Sequence, residues 1–201
     1  MDLNLIIAGV GGQGNVLASQ VVGRAAVAGG FEATIGETFG LSQRGGPVMS
    51  HVRLSSSGAL GPLIPPNGAH IILGLEPLET LRILRDYANP ETVFIVNSRP
   101  IHPLNVIAGD VEYPDAQWMK SVLEDSGGRL HWLDATPAAI ELGGPIFLNM
   151  IMLGALSALP GFPLTGDDFV EALKEIFPEA KRAANIRALE IGWGMVHGNQ
   201  D

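Results

Sequence analysis

Near the start of this chain a glycine turn separates an apolar run from a helix-like stretch. No other feature restricts the possible folds as much. Residues 3–8 are apolar and end at Gly9-Val10-Gly11-Gly12-Gln13-Gly14. Such a run with a hard glycine stop predicts a buried parallel strand. Residues 15–28 place Val16, Leu17, Ser19, Val21, Val22, Ala25 and Ala26 at helical spacing, and Gly29 and Gly30 end the helix. The turn thus lies between a strand and a helix, the context in which a Gly-x-Gly-x-x-Gly pattern has physical meaning. Gly9 permits the tight turn, Gly11 lets backbone N–H groups approach an anion, and Gly14 lets helix pack on strand. Two readings stay open: an anion cradle at a helix N-terminus, or a turn needed only for close packing.

The remaining pattern predicts an α/β, Rossmann-like fold with a mostly parallel sheet, helices on both faces and a helical C-terminal part, in a single domain over residues 1–201. Strands are expected at 31–36, 48–55, 69–73, 92–97 and 129–133, and helices at 76–87, 115–124 and 136–142. The last part reads as helices at 146–159, 167–176 and 179–197. The stretch 48–55 follows its neighbour without a helical crossover and is expected to be antiparallel. Residues 37–47 and 58–68 read as loops.

Composition excludes several functions. With 12 Lys and Arg against 21 Asp and Glu, the formal charge is −9, which repels nucleic acid. Cysteine is absent, so this chain can supply neither a disulfide nor a thiolate ligand for a metal or an iron–sulfur cluster. No histidine pair at i,i+4 suggests zinc. The N-terminus lacks a basic region ahead of its apolar run, and residues 145–159 are interrupted by Asn149 and Gly154. Neither a signal peptide nor a membrane span is expected, and the cytoplasm is the simplest compartment.

A second segment, Glu37-Thr38-Phe39-Gly40-Leu41-Ser42-Gln43-Arg44-Gly45-Gly46-Pro47, sets a guanidinium beside an amide and open backbone. That suits a carboxylate or phosphate, and in open α/β sheets it would lie at the same edge as the glycine turn. Read alone, it is equally a surface turn with an exposed arginine. Glu37, 28 residues after Gly9, stands near the place where a dinucleotide fold puts a ribose-holding acid, though later than usual. His51 and Arg53 are expected on a solvated or interface face, Glu76 as a helix-start acid, and Met150, Met152, Trp193 and Met195 in the core, with some of these four facing a partner subunit.

The two segments GVGGQGNVLASQVVGRAA and GETFGLSQRGGPVMSHVRLS together resemble the gamma component of the 2-oxoacid:ferredoxin oxidoreductases, most of all the small subunit of the indolepyruvate enzymes. The resemblance spans about the whole chain and is sharpest through Leu54. It implies a subunit of an enzyme, arylpyruvate-type, that decarboxylates a 2-oxoacid, delivers the acyl group to coenzyme A and passes electrons to ferredoxin. Thiamine diphosphate, magnesium and [4Fe-4S] clusters would sit on a larger partner subunit, in keeping with the missing cysteines. This chain would hold no cofactor firmly, and would help to bind coenzyme A. The matching positions are Gly9, Gly11, Gly12, Gln13, Gly14, Gln43, Arg44 and Gly45. No residue acquires a proton-transfer role. The alternatives are a stand-alone NAD(P)- or nucleotide-dependent oxidoreductase and a nucleotide-sensing module.

Overall fold

The computed structural model describes residues 1–39 and 46–198. Six strands form one mixed sheet in the order β2-β3-β1-β4-β5-β6. They are β1 (Asp2–Val10), β2 (Glu32–Phe39), β3 (Pro47–Ser55), β4 (Ile71–Gly74), β5 (Val93–Asn97) and β6 (Arg129–Leu133). β1, β4, β5 and β6 run parallel, and β3 is antiparallel to both its neighbours. The helices are α1 (Asn15–Ala28), α2 (Pro77–Tyr87), α3 (Leu104–Ile107), α4 (Ala116–Asp125), α5 (Thr136–Glu141), α6 (Leu148–Ser157), α7 (Gly166–Ile176) and α8 (Glu179–His197). The mostly parallel α/β reading and the antiparallel exception both hold.

Alternation along the parallel strands divides the core. Leu5 and Ile7 of β1, with Leu73 of β4 and Ile95 of β5, face α1, α6, α7 and α8. Ile6, Ile72, Phe94 and Val96 face the other way, toward α2, α4 and the proline-rich loop that carries Ile64. The helix after β1 therefore covers one face and the helix after β4 the other. β1 and β4 are neighbours, so the chain diverges between them, and a crevice opens at their carboxyl ends.

Three expectations need correction. β2 continues through Phe39, so Glu37 lies within a strand rather than a loop. The short helix α3 lies between β5 and α4, where no helix was expected. His51 and Arg53 do not form a solvated face: His51 is fully buried, and Arg53 is half-buried. The cause is the loop between β3 and β4, which folds back over β3. His51 Nδ1 accepts the Ile64 N–H at 3.3 Å, Arg53 Nη1 donates to the Gly61 and Leu63 carbonyls, and its Nε donates to Asn4 Oδ1 at 3.0 Å.

The C-terminal helices form a second layer. α6 is buried on nearly every side, with Met150 and Met152 in the core as expected, whereas Trp193 of α8 is 48% exposed and stacks on His197 instead of entering the core. It meets α8 at unusually close range. A methyl group on Gly192 would collide with the Ile151 carbonyl, and one on Gly154 with the Leu189 carbonyl. Neither obstacle is a side chain that can turn away. No helix among the described residues is long and apolar enough to cross a membrane.

Gly192→Ala should therefore force the two helices apart and cost about 3 kcal/mol or more, read as a lower denaturation midpoint in urea, whereas Gly194→Ala, which meets open space, should not. A second expectation concerns pH. Burial pushes the His51 imidazole below its ordinary value of 6.5, against a smaller upward pull from Glu37 and with a smaller downward push from Arg53. A depressed folded-state value means that the unfolded chain binds the proton more readily. The stabilisation is thus present above pH 6.5 and is lost as the pH falls below it, when protonation of Nδ1 also breaks the bond to Ile64. Chemical denaturation between pH 7.5 and 5 should show this slope, and His51→Gln should flatten it.

Candidate functional site

The glycine turn folds around one side chain. Gln13 Oε1 accepts the Val10 N–H at 2.8 Å, and Gln13 Nε2 donates to the Leu75 carbonyl at 2.9 Å, just past the end of β4. A methyl at Gly9 would stand 2.6 Å from that Oε1 and 2.9 Å from Asn15 Oδ1, so the bridge needs a glycine there. Asn15, buried at the start of α1, donates through Nδ2 to the Val48 carbonyl at 3.2 Å and ties the helix to β3. Gly14 caps α1 with a positive φ of 82°, and Asn149 of α6 donates to its carbonyl at 3.2 Å. Gly9, Gln13 and Gly14 therefore build the turn rather than face outward.

The other predicted positions separate. The Gly11 N–H donates to the Gly46 carbonyl at 2.9 Å, and the Gln13 N–H to the Val10 carbonyl at 3.2 Å. Gly12, with φ of 102°, has open space where a side chain would be. α1 has no side-chain cap and no acidic residue in its first turn, so nothing in the helix itself offsets its positive end. Gln43, Arg44 and Gly45 lie outside the described residues, but Gly46, the next described residue, is held against the turn by its bond to Gly11.

Above the turn lies a cleft of about 600 Å³ over the carboxyl ends of the parallel strands. Its walls come from four parts of the chain: Val10, Gly11, Gly12 and Gln13 at the end of β1; Asn97, Arg99, Pro100 and Ile101 at the end of β5; Thr136 and Ile140 of α5; and Pro145, Ile146 and Leu148. Asn97, fully buried, donates to the same Leu75 carbonyl at 3.3 Å. It accepts from the Ala135 N–H and the Thr136 hydroxyl, each at 3.3 Å. Two side-chain amides thus link the ends of β1, β4, β5 and β6 under the cleft. Arg99 is exposed at the cleft and brings positive charge to a chain with net charge −9. Around this charge the surface is apolar: Ile101 is 42% exposed, Ile140 54% and Ile146 74%.

Asn97 and Arg99 were not singled out from the sequence. The available signal was their position immediately after an apolar strand, at the edge where ligands gather. Glu37 stands differently from the expectation. Its two carboxylate oxygens accept from the Ser19 hydroxyl at 2.7 Å and the Ser50 hydroxyl at 2.6 Å. It is engaged between α1 and β3, and does not serve as a ribose-holding acid.

With this geometry in place, similarity becomes informative. Residues 4–194 match the family described as pyruvate ferredoxin/flavodoxin oxidoreductase. The chain belongs to that family. Within the pyruvate ferredoxin/flavodoxin oxidoreductase family it is 37% identical over 192 residues to the indolepyruvate oxidoreductase subunit IorB of Thermococcus kodakarensis, covering 95% of this chain and 94% of that one. A solved keto/oxoacid ferredoxin oxidoreductase gamma subunit from Geobacter sulfurreducens has the same fold, with a TM-score of 0.72, 21% identity, and coverage of 98% of this chain and 99% of that one. The 2-oxoglutarate:ferredoxin oxidoreductase of Magnetococcus marinus, solved with 2-oxoglutarate, coenzyme A and succinyl-CoA bound, superposes with a TM-score of 0.75 at 23% identity. The match covers 98% of this chain and 31% of that longer one. Among these solved structures, the fold occurs both as a separate chain and as part of a longer one.

Gln13→Ala would strip a partner from the Val10 N–H and from the Leu75 carbonyl at once. It should cost about 2–4 kcal/mol in chemical denaturation, more than a typical surface substitution. Gly14→Ala should be at least as damaging, because its methyl would collide with the Asn149 amide at a positive φ.

Proposed function

We propose that this chain is the small subunit of a cytoplasmic indolepyruvate-type 2-oxoacid:ferredoxin oxidoreductase. Residues 1–201 would act as one gamma-type domain on a larger partner. The enzyme would convert a 2-oxoacid and coenzyme A into an acyl-CoA and carbon dioxide, with two electrons leaving to ferredoxin. Thiamine diphosphate with magnesium, and the [4Fe-4S] clusters, would supply decarboxylation and electron transfer from the partner subunit, since this chain has no cysteine to ligate a cluster.

The observation that carries this chain's share is the cleft at the carboxyl edge. Its volume falls within the range of small-molecule sites. It also offers two surfaces of different chemistry. Gly12, the uncapped start of α1 and Arg99 suit an anionic group, and Ile101, Ile140 and Ile146 suit an apolar chain. Coenzyme A has both parts, a diphosphate and a long, mostly uncharged arm. In this reading Gly9, Gln13 and Gly14 shape the turn, Gly11 ties it to Gly46, and Gly12 lets the diphosphate approach. Gln43, Arg44 and Gly45, which immediately precede Gly46 in the chain, would contribute to binding it. The exposed isoleucines beside the cleft favour a partner surface there, so coenzyme A would be held at the junction of two subunits.

The test is reconstitution. The purified chain should show no turnover with arylpyruvate, coenzyme A, thiamine diphosphate and ferredoxin. Activity should appear on addition of the thiamine- and cluster-bearing subunit, and robust turnover by this chain alone would overturn the reading. In the assembled enzyme, calorimetric titration of coenzyme A should show Arg44→Ala weakening binding by about 1.5–3 kcal/mol. Gly12→Val should do more harm, because its side chain would enter the cleft. Equal affinities in all three proteins would remove the glycine turn and Arg44 from the site.

A further inference from the structure

Between β5 and α4 the chain makes an excursion over residues 98–115 that carries Arg99, Pro100 and Ile101 to the cleft and then α3 out into solvent. Its outer part is apolar and uncovered, with Ile107 70% exposed and Val111 48%. Such a segment packs little of itself against the body, so its placement must come from specific attachments.

Both ends of the excursion are attached to the same carboxylate. Glu76, fully buried at the end of β4, is the N-cap of α2. Its Oε2 accepts the Glu79 N–H at 2.9 Å, as a helix-capping acid should. Its Oε1 is used differently. It accepts the Ile101 N–H at 3.2 Å and the Tyr113 hydroxyl. The Tyr113 ring meets His102 edge-on, with centroids 4.9 Å apart, so the two ends of the loop also touch each other. Burial, and then the bond to Glu76, push the Tyr113 hydroxyl far above its ordinary value of 10.0, so it remains a donor. Helix capping needs only one oxygen. The second closes a loop of residues 101–113 at a single point beside the cleft.

We propose that Glu76 is a positioning residue for the cleft: through Ile101 and Tyr113 it sets where residues 99–101 stand against the glycine turn, and hence the affinity for the anionic ligand. The ligand's identity as coenzyme A rests on the function proposed above; the attachment itself does not. Without the Oε1 contacts the loop keeps its covalent ends at β5 and α4 but loses its fixed place, and Arg99 and Ile101 move with it. A ligand must then order the loop as it binds.

The test uses Tyr113→Phe and Glu76→Gln in the assembled enzyme, with Arg99→Ala for comparison. Tyr113→Phe leaves the α2 cap intact, and Tyr113 does not itself line the cleft, so it isolates the attachment even if Glu76→Gln folds poorly. Hydrogen exchange without ligand should be faster across residues 101–113 in Tyr113→Phe and unchanged in Arg99→Ala. The KM for coenzyme A should rise about three- to tenfold in Tyr113→Phe, with kcat within about twofold of wild type. Arg99→Ala should also raise KM. Unchanged exchange in Tyr113→Phe would overturn the attachment. Faster exchange with unchanged KM, while Arg99→Ala raises KM, would overturn the positioning role. An unchanged KM in Arg99→Ala would instead remove coenzyme A from the cleft, and the exchange measurement would still decide whether Glu76 holds the loop.

Discussion

The carbonyl of Leu75 is the point on which the candidate site depends. It follows the last residue of β4, where a parallel strand normally turns its final groups toward water. Here it accepts from Gln13 and Asn97 together. Each of those amides also uses its other end: Gln13 on the Val10 N–H, Asn97 on Ala135 and Thr136. The carboxyl ends of four strands are thereby held in register by side chains rather than by solvent. A turn with several glycines would otherwise be soft. Bound to Leu75 through Gln13, it becomes part of the sheet, and the cleft above it has a firm floor.

This bridging also changes how the glycine motif should be understood. A glycine-rich turn before a helix invites the view that its N–H groups all await an anion. Two of them, at Gly11 and Gln13, are already used within the chain. Gly11 joins the turn to the chain re-entering at Gly46, which brings the second motif to the first. Open approach survives at Gly12, and the positive end of α1 remains uncompensated by any acidic residue in the first turn. In a protein of net charge −9, that local omission of negative charge favours an anionic ligand more than the glycine count does.

Much of the architecture was legible because it follows from local rules. The apolar run, glycine stop and small-residue helix defined β1, the turn and α1. The absence of a helical crossover identified β3 as antiparallel. β6 and α8 were placed with their observed bounds. What escaped was decided by contacts distant in sequence. His51 and Arg53 alternate like an exposed face, and the return of the proline-rich loop, with Tyr87 of α2 against His51, buries them. Glu37 sits near the ribose-holding position by count, yet the extension of β2 turns it toward Ser19 and Ser50. Gln13 was read as part of the motif, but its role as a bridge requires knowing where Leu75 lies, 62 residues later. Glu76 was read as a helix-start acid, which accounts for one of its oxygens and not the other.

The far wall of the cleft shows why the C-terminal helices belong to the site although they contain no recognisable motif. α6 follows directly on the cleft residues Pro145 and Ile146, begins with the cleft residue Leu148, and through Asn149 holds the carbonyl of Gly14. Its own position is set by α8, against which Gly154 and Gly192 allow contact at backbone range. Because those contacts are backbone to backbone, α6 has little freedom to slide. The N-terminal turn and the C-terminal layer therefore fix each other through Asn149 and Gly14. The cleft lies where they meet, and its shape depends on the last helix of the chain as directly as on the first glycine.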